Sequence, residues 1–219
     1  MKYLDELQDG KSILNEREII SRLSKGDLVI TPIINYRRQI GPTSIDLRLG
    51  TEFRIFKVSM FTHLEPKEKK EIVKNKVIKY TEKVKLQMMN PFILHPDEFV
   101  LASTLEYMKL PLDLAGRLEG RSSWGRIGLQ IHSTAGFVDP GFEGILTFEL
   151  QNVGRVPILL YAGLRIAQIC FYNCKTTAIP YTKKIESKYA YKLEPLGSLF
   201  YEDEEFKKIN KYFKKRNYL

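Results

Sequence analysis

The chain has 219 residues, of which 43% are hydrophobic, 28% are charged and 11% are aromatic. This composition excludes an intrinsically disordered chain, and the length allows one substantial hydrophobic core, so we expect a single domain over residues 1–219. No apolar run approaches the length of about 18 residues that a membrane-spanning helix needs, which disfavours a membrane protein.

The net charge of +9 is concentrated in two windows of the chain. Residues 67–85 hold eight lysines and three glutamates, and residues 206–219 hold five lysines and one arginine without an acid. These windows carry +5 and +6, so the remainder of the chain sums to −2. Blocks of like charge are usually solvated surface, and the near-neutral remainder disfavours a nucleic-acid-binding protein.

The two cysteines, Cys170 and Cys174, have C-x₃-C spacing and no second pair that could complete a metal site or a disulfide framework. The charged N-terminal residues are not followed by the apolar run of a signal peptide. We therefore expect reduced cysteines and a soluble, cytoplasmic protein.

The first half of the chain contains signals for one helix and two strands. Asn15 followed by Glu18, an apolar run and then Gly26 predicts a short capped helix. Residues 28–33 are rich in β-branched side chains, and residues 44–50 alternate with period two, so both are predicted strands.

The second half is predicted to be mainly β. Residues 67–90 form a lysine-rich insertion that is compatible with either a helix or a hairpin. From Pro91 onward, short apolar runs alternate with turn signals, which is typical of a β-barrel or a jelly roll.

The tetrapeptide Gly120-Arg121-Ser122-Ser123 places a cation and two hydroxyls at a predicted helix start. Free backbone N–H groups, the helix dipole and the Arg121 guanidinium would converge there on an anion such as a polyphosphate. A serine N-cap without a ligand explains the same residues. Arg126 lies four residues beyond Ser122, so a helix would bring both to one face.

Two acidic residues follow in the same region. Asp139 precedes a Pro-Gly turn, where it could contact a ligand or simply form the turn. Glu149 lies in the strand 145–150, on the face opposite Leu146 and Phe148. Burial would favour the neutral form of this carboxyl and a nearby Arg126 would oppose that, and such a group is suited to proton transfer near neutral pH. The alternative is a solvent-facing glutamate on an edge strand.

Taken together, these segments resemble the dCTP deaminase family of the dUTPase superfamily. The family's hallmark corresponds to G-R-S-S-x-x-R-x-G-L, H-x-T-A, D-P-G-x-x-G and a strand that ends similarly to L-E-L, all within residues 120–150. The segments GPTSIDLRLG, FILHPDEFVLASTLEYMKLPLDLAGRLEG and TKKIESKYAYK also resemble their family counterparts. The resemblance covers most of the chain, apart from an N-terminal extension (residues 1–10), the insertion and the basic tail.

The resemblance implies a dUTPase-like distorted β-barrel with a few short helices, assembled as a homotrimer with active sites between subunits. Residues from about 181 to 219 would form a C-terminal lid and the basic tail. The implied activity is hydrolytic deamination of dCTP to dUTP and ammonia without zinc, with Mg²⁺ held through the triphosphate rather than by protein ligands.

By the same resemblance, Glu149 is the general base and acid, while Ser122, Arg126 and the main chain around Ala135 position water and the pyrimidine. Asp139 would contact the deoxyribose, and the main chain of Thr147 and Phe148 would read the base. Lys192 stands where relatives often carry Gln. The implied nucleotide contacts are Arg121, Ser122, Ser123, Trp124, Gly125, Arg126, Asp139, Thr147, Phe148, Glu149, Gln168, Tyr181, Lys188 and Lys192.

The sequence disfavours a zinc deaminase, which combines H-x-E with a downstream P-C-x-x-C. His63-Leu64-Glu65 matches the first half, but the chain contains no C-x-x-C. His132 is expected to be a buried, hydrogen-bonded residue rather than a catalyst.

Three other functions remain compatible with the sequence. One is a bifunctional enzyme that converts dCTP to dUMP and diphosphate, and another is a dUTP diphosphatase alone. The third is a non-catalytic nucleic-acid binder that uses the two basic windows. The sequence leaves open whether dTTP is an inhibitor and whether trimers pair into hexamers.

Overall fold

The structure, a computed structural model, describes residues 13–57, 61–184, 187–203 and the positions 208, 211 and 212. The predicted N-terminal extension and most of the basic tail lie outside the described residues. The helices are α1 (Glu16–Lys25), α2 (Tyr36–Gln39), α3 (Lys70–Tyr80) and α4 (Ser122–Gly125), with 3₁₀-helices at Tyr181–Lys183 and Phe200–Glu202. The strands are β1 (Val29–Thr31), β2 (Ser44–Phe56), β3 (Thr81–Lys85), β4 (Phe92–Leu94), β5 (Phe99–Lys109), β6 (Leu114–Gly120), β7 (Leu129–Gln130), β8 (Phe137–Val138), β9 (Glu143–Asn152), β10 (Ile158–Leu160) and β11 (Arg165–Asn173).

The predicted mainly β fold is confirmed. One nine-stranded sheet has the order β7-β9-β5-β2-β11-β6-β8, with β1 added to β5 and β3 added to β2, and β4 and β10 form a second sheet. All neighbouring strands are antiparallel. Irregular register between Leu49 and Phe53 and between Ser103 and Tyr107 bends the long strands β2 and β5, which curls the sheet around its apolar face.

The main core lies inside this curled sheet. Phe53, Phe148 and Phe171 are its largest side chains, and each has at most 1% of its surface exposed. The ring of Phe53 stacks on that of Phe92 with centroids 4.7 Å apart. Burial of these rings fixes β9 between β5 and β7, so a residue on the outer face of β9 has a well-defined position.

The predicted N-terminal helix is also confirmed as α1. The Asn15 side chain accepts the N–H of Glu18 at 3.1 Å, and the Glu18 carboxylate accepts the N–H of Asn15 at 2.8 Å. Gly26 ends the helix with φ of 76°, a conformation that favours glycine. No helix among the described residues is long and apolar enough to span a membrane.

The lysine-rich insertion contains the helix, one of the two alternatives that the sequence left open, followed by a single strand that pairs with β2 rather than by a hairpin of its own. Helix α3 runs directly into β3, and β3 pairs with residues 52–56 of β2. Three of its lysines form ion pairs, namely Lys76 with Glu68, Lys83 with Glu194 and Lys85 with Glu52. Part of the positive charge is therefore balanced within the chain.

Candidate active site

Strand β9 carries Glu149 on its outer face. Buried and half-buried residues alternate along the strand, and Leu146, Phe148 and Leu150 point into the core. Thr147 and Glu149 lie on the other face and are half-buried. The predicted alternation is confirmed, and it presents one carboxylate on a strand whose opposite face is locked in the core.

Main-chain groups hold the carboxylate of Glu149. Its Oε2 atom accepts the N–H of Ser133 at 2.9 Å and the N–H of Thr134 at 3.2 Å. The N–H of Glu149 donates to the carbonyl of Ile131 at 3.0 Å. Two donors on one oxygen fix the orientation of the carboxylate and stabilise its negative charge. The Oε1 atom has no hydrogen bond to any residue that the structure describes, so it can meet a ligand.

The main chain of Thr147 faces the same edge of β9 as that of Glu149. Hydrogen bonding in an antiparallel pair alternates from one residue to the next, and the N–H of Glu149 points away from β5. The N–H and C=O of Thr147 therefore also point away from β5, whereas those of Phe148 point towards it. Ile131 lies along this edge on one side of Thr147 and Lys192 on the other. The gap between them offers one donor and one acceptor to a flat ligand.

The phosphate-loop candidate, residues 120–123, joins β6 to the single helical turn α4. The side chains of Ser122 and Ser123 are exposed, as is Gly125. The exposed hydroxyls and the first N–H groups of the turn are compatible with an anion site, as the sequence predicts.

Arg121 is held by groups that are distant in sequence. Its Nε lies 3.3 Å from Asp46 Oδ1, and its Nη1 donates to the carbonyl of Arg165 at 2.9 Å. The same carbonyl accepts Trp124 Nε1 at 3.0 Å, and Asp46 Oδ2 lies 2.9 Å from Arg165 Nη1. Burial raises the pKa of Asp46, although both guanidinium groups oppose that change. Asp46 thus orients Arg121 at the start of the phosphate-loop candidate.

Arg126 does not pair with Glu149 among the described residues. It ends α4, where its N–H donates to the carbonyl of Ser122 at 3.0 Å, and its side chain is exposed. No hydrogen bond or ion pair among the described residues joins it to Glu149. The N–H groups that hold the carboxylate belong instead to Ser133 and Thr134. The next residue, Ala135, has an exposed side chain.

Asp139 forms the predicted turn. The N–H of Phe142 donates to its carbonyl at 3.1 Å, and Gly141 has φ of 75°, as the third residue of a type II turn requires. A Cβ on Gly141 would lie 2.5 Å from Cβ of Pro180, so a glycine is also needed for close packing. The side chain of Asp139 is half-buried.

Tyr181 packs beside the turn that Asp139 begins, and it feels the charges of Asp139 and Lys188. The N–H of Tyr181 donates to the carbonyl of Pro140 at 3.0 Å, and its ring lies 5.8 Å from that of Phe142. Burial raises the pKa of Tyr181, the Asp139 charge raises it further and the Lys188 charge lowers it. Tyr181 is therefore the one of these three candidates whose pKa responds to the charges of the other two.

Two further candidates have defined partners. Lys188 Nζ lies 2.5 Å from Asp203 Oδ1, and its side chain is 17% exposed. Gln168 accepts the hydroxyl of Ser44 at 3.2 Å and donates to the carbonyl of Gly120 at 3.4 Å. Gln168 therefore lies beside the phosphate-loop candidate, as the resemblance implies.

Four important residues were not singled out by the sequence. Ser133 and Thr134 act through N–H groups that every residue has, so only their place in H-x-T-A could have indicated them. Asp46 and Arg165 are far from Arg121 along the chain, and no local pattern reveals that contact. Asp46 stands at an ordinary polar position of the alternating strand, between Ser44 and Arg48, so the pattern gave no signal for it.

The described residues contain no group of three His, Cys, Asp or Glu side chains that could hold a metal ion. Cys170 is half-buried and Cys174 exposed, and both are free. His132 differs from the expectation, because its Nδ1 is buried but has no hydrogen-bond partner among the described residues.

Comparison with known proteins shows which family these features characterise. A family model described as dCTP deaminase-like matches residues 13–174. The chain is 44% identical over 199 residues to a Methanobrevibacter smithii protein named "dCTP deaminase, dUMP-forming", with 90% of this chain and 100% of the relative covered. It is 46% identical over 187 residues to a protein of the same name from Dictyoglomus thermophilum, with 85% and 93% covered.

Among solved structures, the fold is similar to that of the 2'-deoxycytidine 5'-triphosphate deaminase from Agrobacterium tumefaciens. The TM-score is 0.57 at 23% identity, and the match covers 74% of this chain and 49% of that chain. The matched part thus spans about half of that protein, and the likeness concerns the fold.

Proposed function

The chain belongs to the dCTP deaminase-like family, and on this premise we propose that it is an enzyme that converts dCTP into dUMP. Water replaces the 4-amino group of cytosine, and hydrolysis of the phosphate chain then releases diphosphate. The names of the relatives from M. smithii and D. thermophilum support dUMP as the product. They favour the bifunctional alternative over an enzyme that stops at dUTP.

The observation that carries the proposal is the carboxylate of Glu149, held through Oε2 by two main-chain N–H groups with Oε1 directed to a ligand. The oxygen of water bonds to C4 of the ring as the π pair of the C4=N3 bond moves to N3, and the water proton passes to Glu149. The same proton is returned to the amino nitrogen, the N3 pair re-forms the C4=N3 bond, the bond from C4 to the amino nitrogen breaks, and ammonia leaves with the electron pair of that bond. The 4-hydroxy ring then becomes uracil by moving its hydroxyl proton to N3. Glu149 ends as it began, as a general base and then a general acid.

The edge of β9 reads the base. The N–H and C=O of Thr147 present a donor and an acceptor beside Glu149, which matches the alternating polar edge of a pyrimidine. Main-chain groups of a core strand are pre-organised, so they bind the ring with little loss of conformational freedom. Thr147 and Phe148 were both proposed to read the base through main-chain groups. The N–H and C=O of Thr147 point away from β5 and can reach a ring beside Glu149, whereas those of Phe148 point towards β5.

The phosphate end of the nucleotide occupies the phosphate-loop candidate. Ser122 and Ser123 offer exposed hydroxyls, and Arg121 offers a guanidinium already oriented by Asp46. The donor set suits a triphosphate rather than a metal held by protein carboxylates alone. A Mg²⁺ ion bound through the phosphates would neutralise part of their charge. The thymidine analogue dTTP shares the deoxyribose and triphosphate, so it is a candidate inhibitor of this site.

We further propose that each site is completed by a neighbouring subunit of a homotrimer. Glu149 and the exposed Arg126 do not pair among the described residues, although both are assigned to the same reaction. Exposed apolar side chains lie close to α4 and β7 and offer an interface, with exposed fractions of 50% for Ile127, 52% for Val153 and 65% for Val156. The free cysteines suit a cytoplasmic location.

A subunit-mixing experiment tests the shared site. Glu149→Gln and Arg126→Ala proteins are each expected to be inactive as homotrimers, whereas mixing them should restore roughly a quarter of the sites if each site uses both residues from different subunits. Sedimentation equilibrium measures the oligomeric state alongside. If mixed subunits exchange but activity does not return, each site belongs to one subunit.

The experiment that tests the activity is separation of the nucleotide products from dCTP and Mg²⁺. The wild-type protein should yield dUMP, and Glu149→Gln should lose about 10²-fold or more in kcat while still binding dCTP. Glu52→Gln is the matched control, because Glu52 of β2 pairs with Lys85 of β3 and has no role in the site. Accumulation of dUTP would limit the enzyme to deamination, and consumption of supplied dUTP alone would leave only a diphosphatase. Unchanged kcat in Glu149→Gln would remove the residue from the mechanism.

A further inference from the structure

Helix α3 of the insertion buries a face that does not belong to the main core. Val73 and Val77 are 1% and 7% exposed, and they are four residues apart on one side of the helix. Neither is part of the main core cluster. The N-terminal residue Lys69 makes no side-chain cap. A short helix with many lysines and no cap depends on packing for its stability, so whatever covers this face determines whether α3 forms.

The chain itself covers that face, through residues 187–203, which we call the C-terminal segment. Pro195 and Gly197 are buried. A Cβ on Gly197 would lie 3.5 Å from Cγ1 of Val77, so the segment's main chain packs directly on the helix. The 3₁₀-helix Phe200–Glu202 also contacts α3. These residues form a satellite cluster, comprising Val73, Val77, Pro195 and Gly197.

Arg54 joins the elements around the satellite cluster. From β2, its Nε donates to the carbonyl of Pro195 at 3.2 Å, and its Nη1 donates to Oγ1 of Thr81 at 3.1 Å. Thr81 is 7% exposed and donates its hydroxyl to the carbonyl of Val77 at 3.0 Å. One guanidinium therefore links the main sheet both to the junction of α3 with β3 and to the main chain of the C-terminal segment.

The same segment reaches the strand that carries the catalytic carboxylate. The N–H of Tyr191 donates to the carbonyl of Glu143 at 2.7 Å, and the carbonyl of Lys192 accepts the N–H of Ile145 at 3.0 Å. Gly144 has φ of 147°, and a Cβ there would lie 3.2 Å from both N and O of Lys192. This approach is close enough to require glycine, so the segment has a definite seat on β9.

We propose that the insertion, residues 67–90, anchors the C-terminal segment on β9 before any nucleotide binds, with Arg54 as the positioning residue. The segment carries Lys188 and Lys192, two proposed nucleotide contacts. The C-terminal segment becomes ordered during folding rather than on binding. Because binding then costs less conformational entropy, the nucleotide binds more tightly than it would to a free segment. The effect on nucleotide binding rests on the proposed function, whereas the anchor itself does not.

Hydrogen exchange of the full-length protein without nucleotide tests the anchor. In Arg54→Gln and Thr81→Val, amides of residues 187–203 should exchange about tenfold faster, while those of β9 remain unchanged. Thr81→Val preserves the side-chain shape and removes the bridging hydroxyl, so it serves if Arg54→Gln does not fold. Glu82→Gln is the control on the same strand, because Glu82 pairs with Lys57 on the surface. Exchange that matches the wild type in both variants would overturn the anchor.

Steady-state kinetics of the same variants test the positioning role. KM for dCTP should rise about tenfold with kcat changed by less than about twofold, because Arg54 orders a binding segment and touches no reacting atom. Faster exchange with an unchanged KM, or a fall in kcat alone, would overturn the positioning role. If the wild-type protein turned over no dCTP, the proposed function would fail, and the exchange data would still decide the anchor.

Discussion

Strand β9 and the C-terminal segment meet at the same site, but they are stabilised in different ways. β9 lies between β5 and β7 and buries alternate side chains in the main core, including Phe148 with 0% exposure. The C-terminal segment packs on α3 through the satellite cluster, outside the main core. It is held there by individual contacts, among them the hydrogen bond from Arg54 to the carbonyl of Pro195. The proposed catalytic carboxylate is thus on a strand anchored in the main core, and two proposed nucleotide contacts are on a lightly held segment.

The difference follows from what each part must do. Proton transfer from water and to the departing amine needs the carboxylate at a fixed distance, which a core strand with main-chain donors provides. A nucleotide must also enter and leave, so the residues that close over it belong to a part that can open at low free energy. The anchor limits how often that opening occurs.

Truncating Phe148 should produce the largest change in stability. Phe148→Ala removes a fully buried ring from the main core and should lower the free energy of unfolding by about 3–5 kcal/mol. Urea denaturation followed by circular dichroism measures it. A loss below about 1 kcal/mol would show that the core beneath the catalytic strand repacks freely, which would contradict the rigidity assigned to β9.

A pH-dependent contribution should come next, from Glu106 of β5. It is 0% exposed and accepts the N–H of Arg48 at 2.9 Å, and burial raises its pKa from 4.5 to about 7. Between these values the unfolded chain has released a proton that the folded protein retains. Stability should therefore fall as pH rises from 4.5 to about 7, by on the order of 1–3 kcal/mol.

Glu106→Gln should lack this slope, whatever its overall stability. Chemical denaturation at several pH values between 5 and 7 measures the slope in both proteins. An equal slope in the variant would assign the pH dependence to other groups.

Truncating the satellite cluster should have a smaller and local effect. Val77→Ala should lower the free energy of local opening by about 1–2 kcal/mol, because Val77 packs on Gly197 outside the main core. Hydrogen exchange should quicken in residues 187–203 and in α3, with little change elsewhere. Faster exchange throughout β9 would show that the two regions unfold together, and would remove the contrast between them.

The smallest effect should follow loss of the ion pair between Lys83 and Glu194. Its side chains are 56% and 41% exposed, so solvent screens the attraction. Lys83→Ala should change stability by about 0–1 kcal/mol, and added salt should reduce the difference further. A loss as large as that of Val77→Ala would mean that charge, rather than apolar packing, holds the C-terminal segment.

Local features of the sequence predicted much of this fold. The capping box of Asn15 and Glu18 predicted α1, because both of its hydrogen bonds form within four residues. The alternation around Glu149 predicted which side of β9 is buried. The insertion remained ambiguous because its lysines conceal the short apolar pattern of Val73 and Val77, and the partner of that face lies more than a hundred residues away.

The sequence by itself determined the elements with local signals and the family, and it proposed Glu149 as the catalytic carboxylate. The tertiary structure decided what each group meets: main-chain N–H groups for Glu149, Asp46 for Arg121 and the C-terminal segment for the insertion. The physical reason is that capping and alternation depend on neighbours along the chain. Main-chain donors carry no residue signature, and long-range pairs depend on how the strands curl around the core.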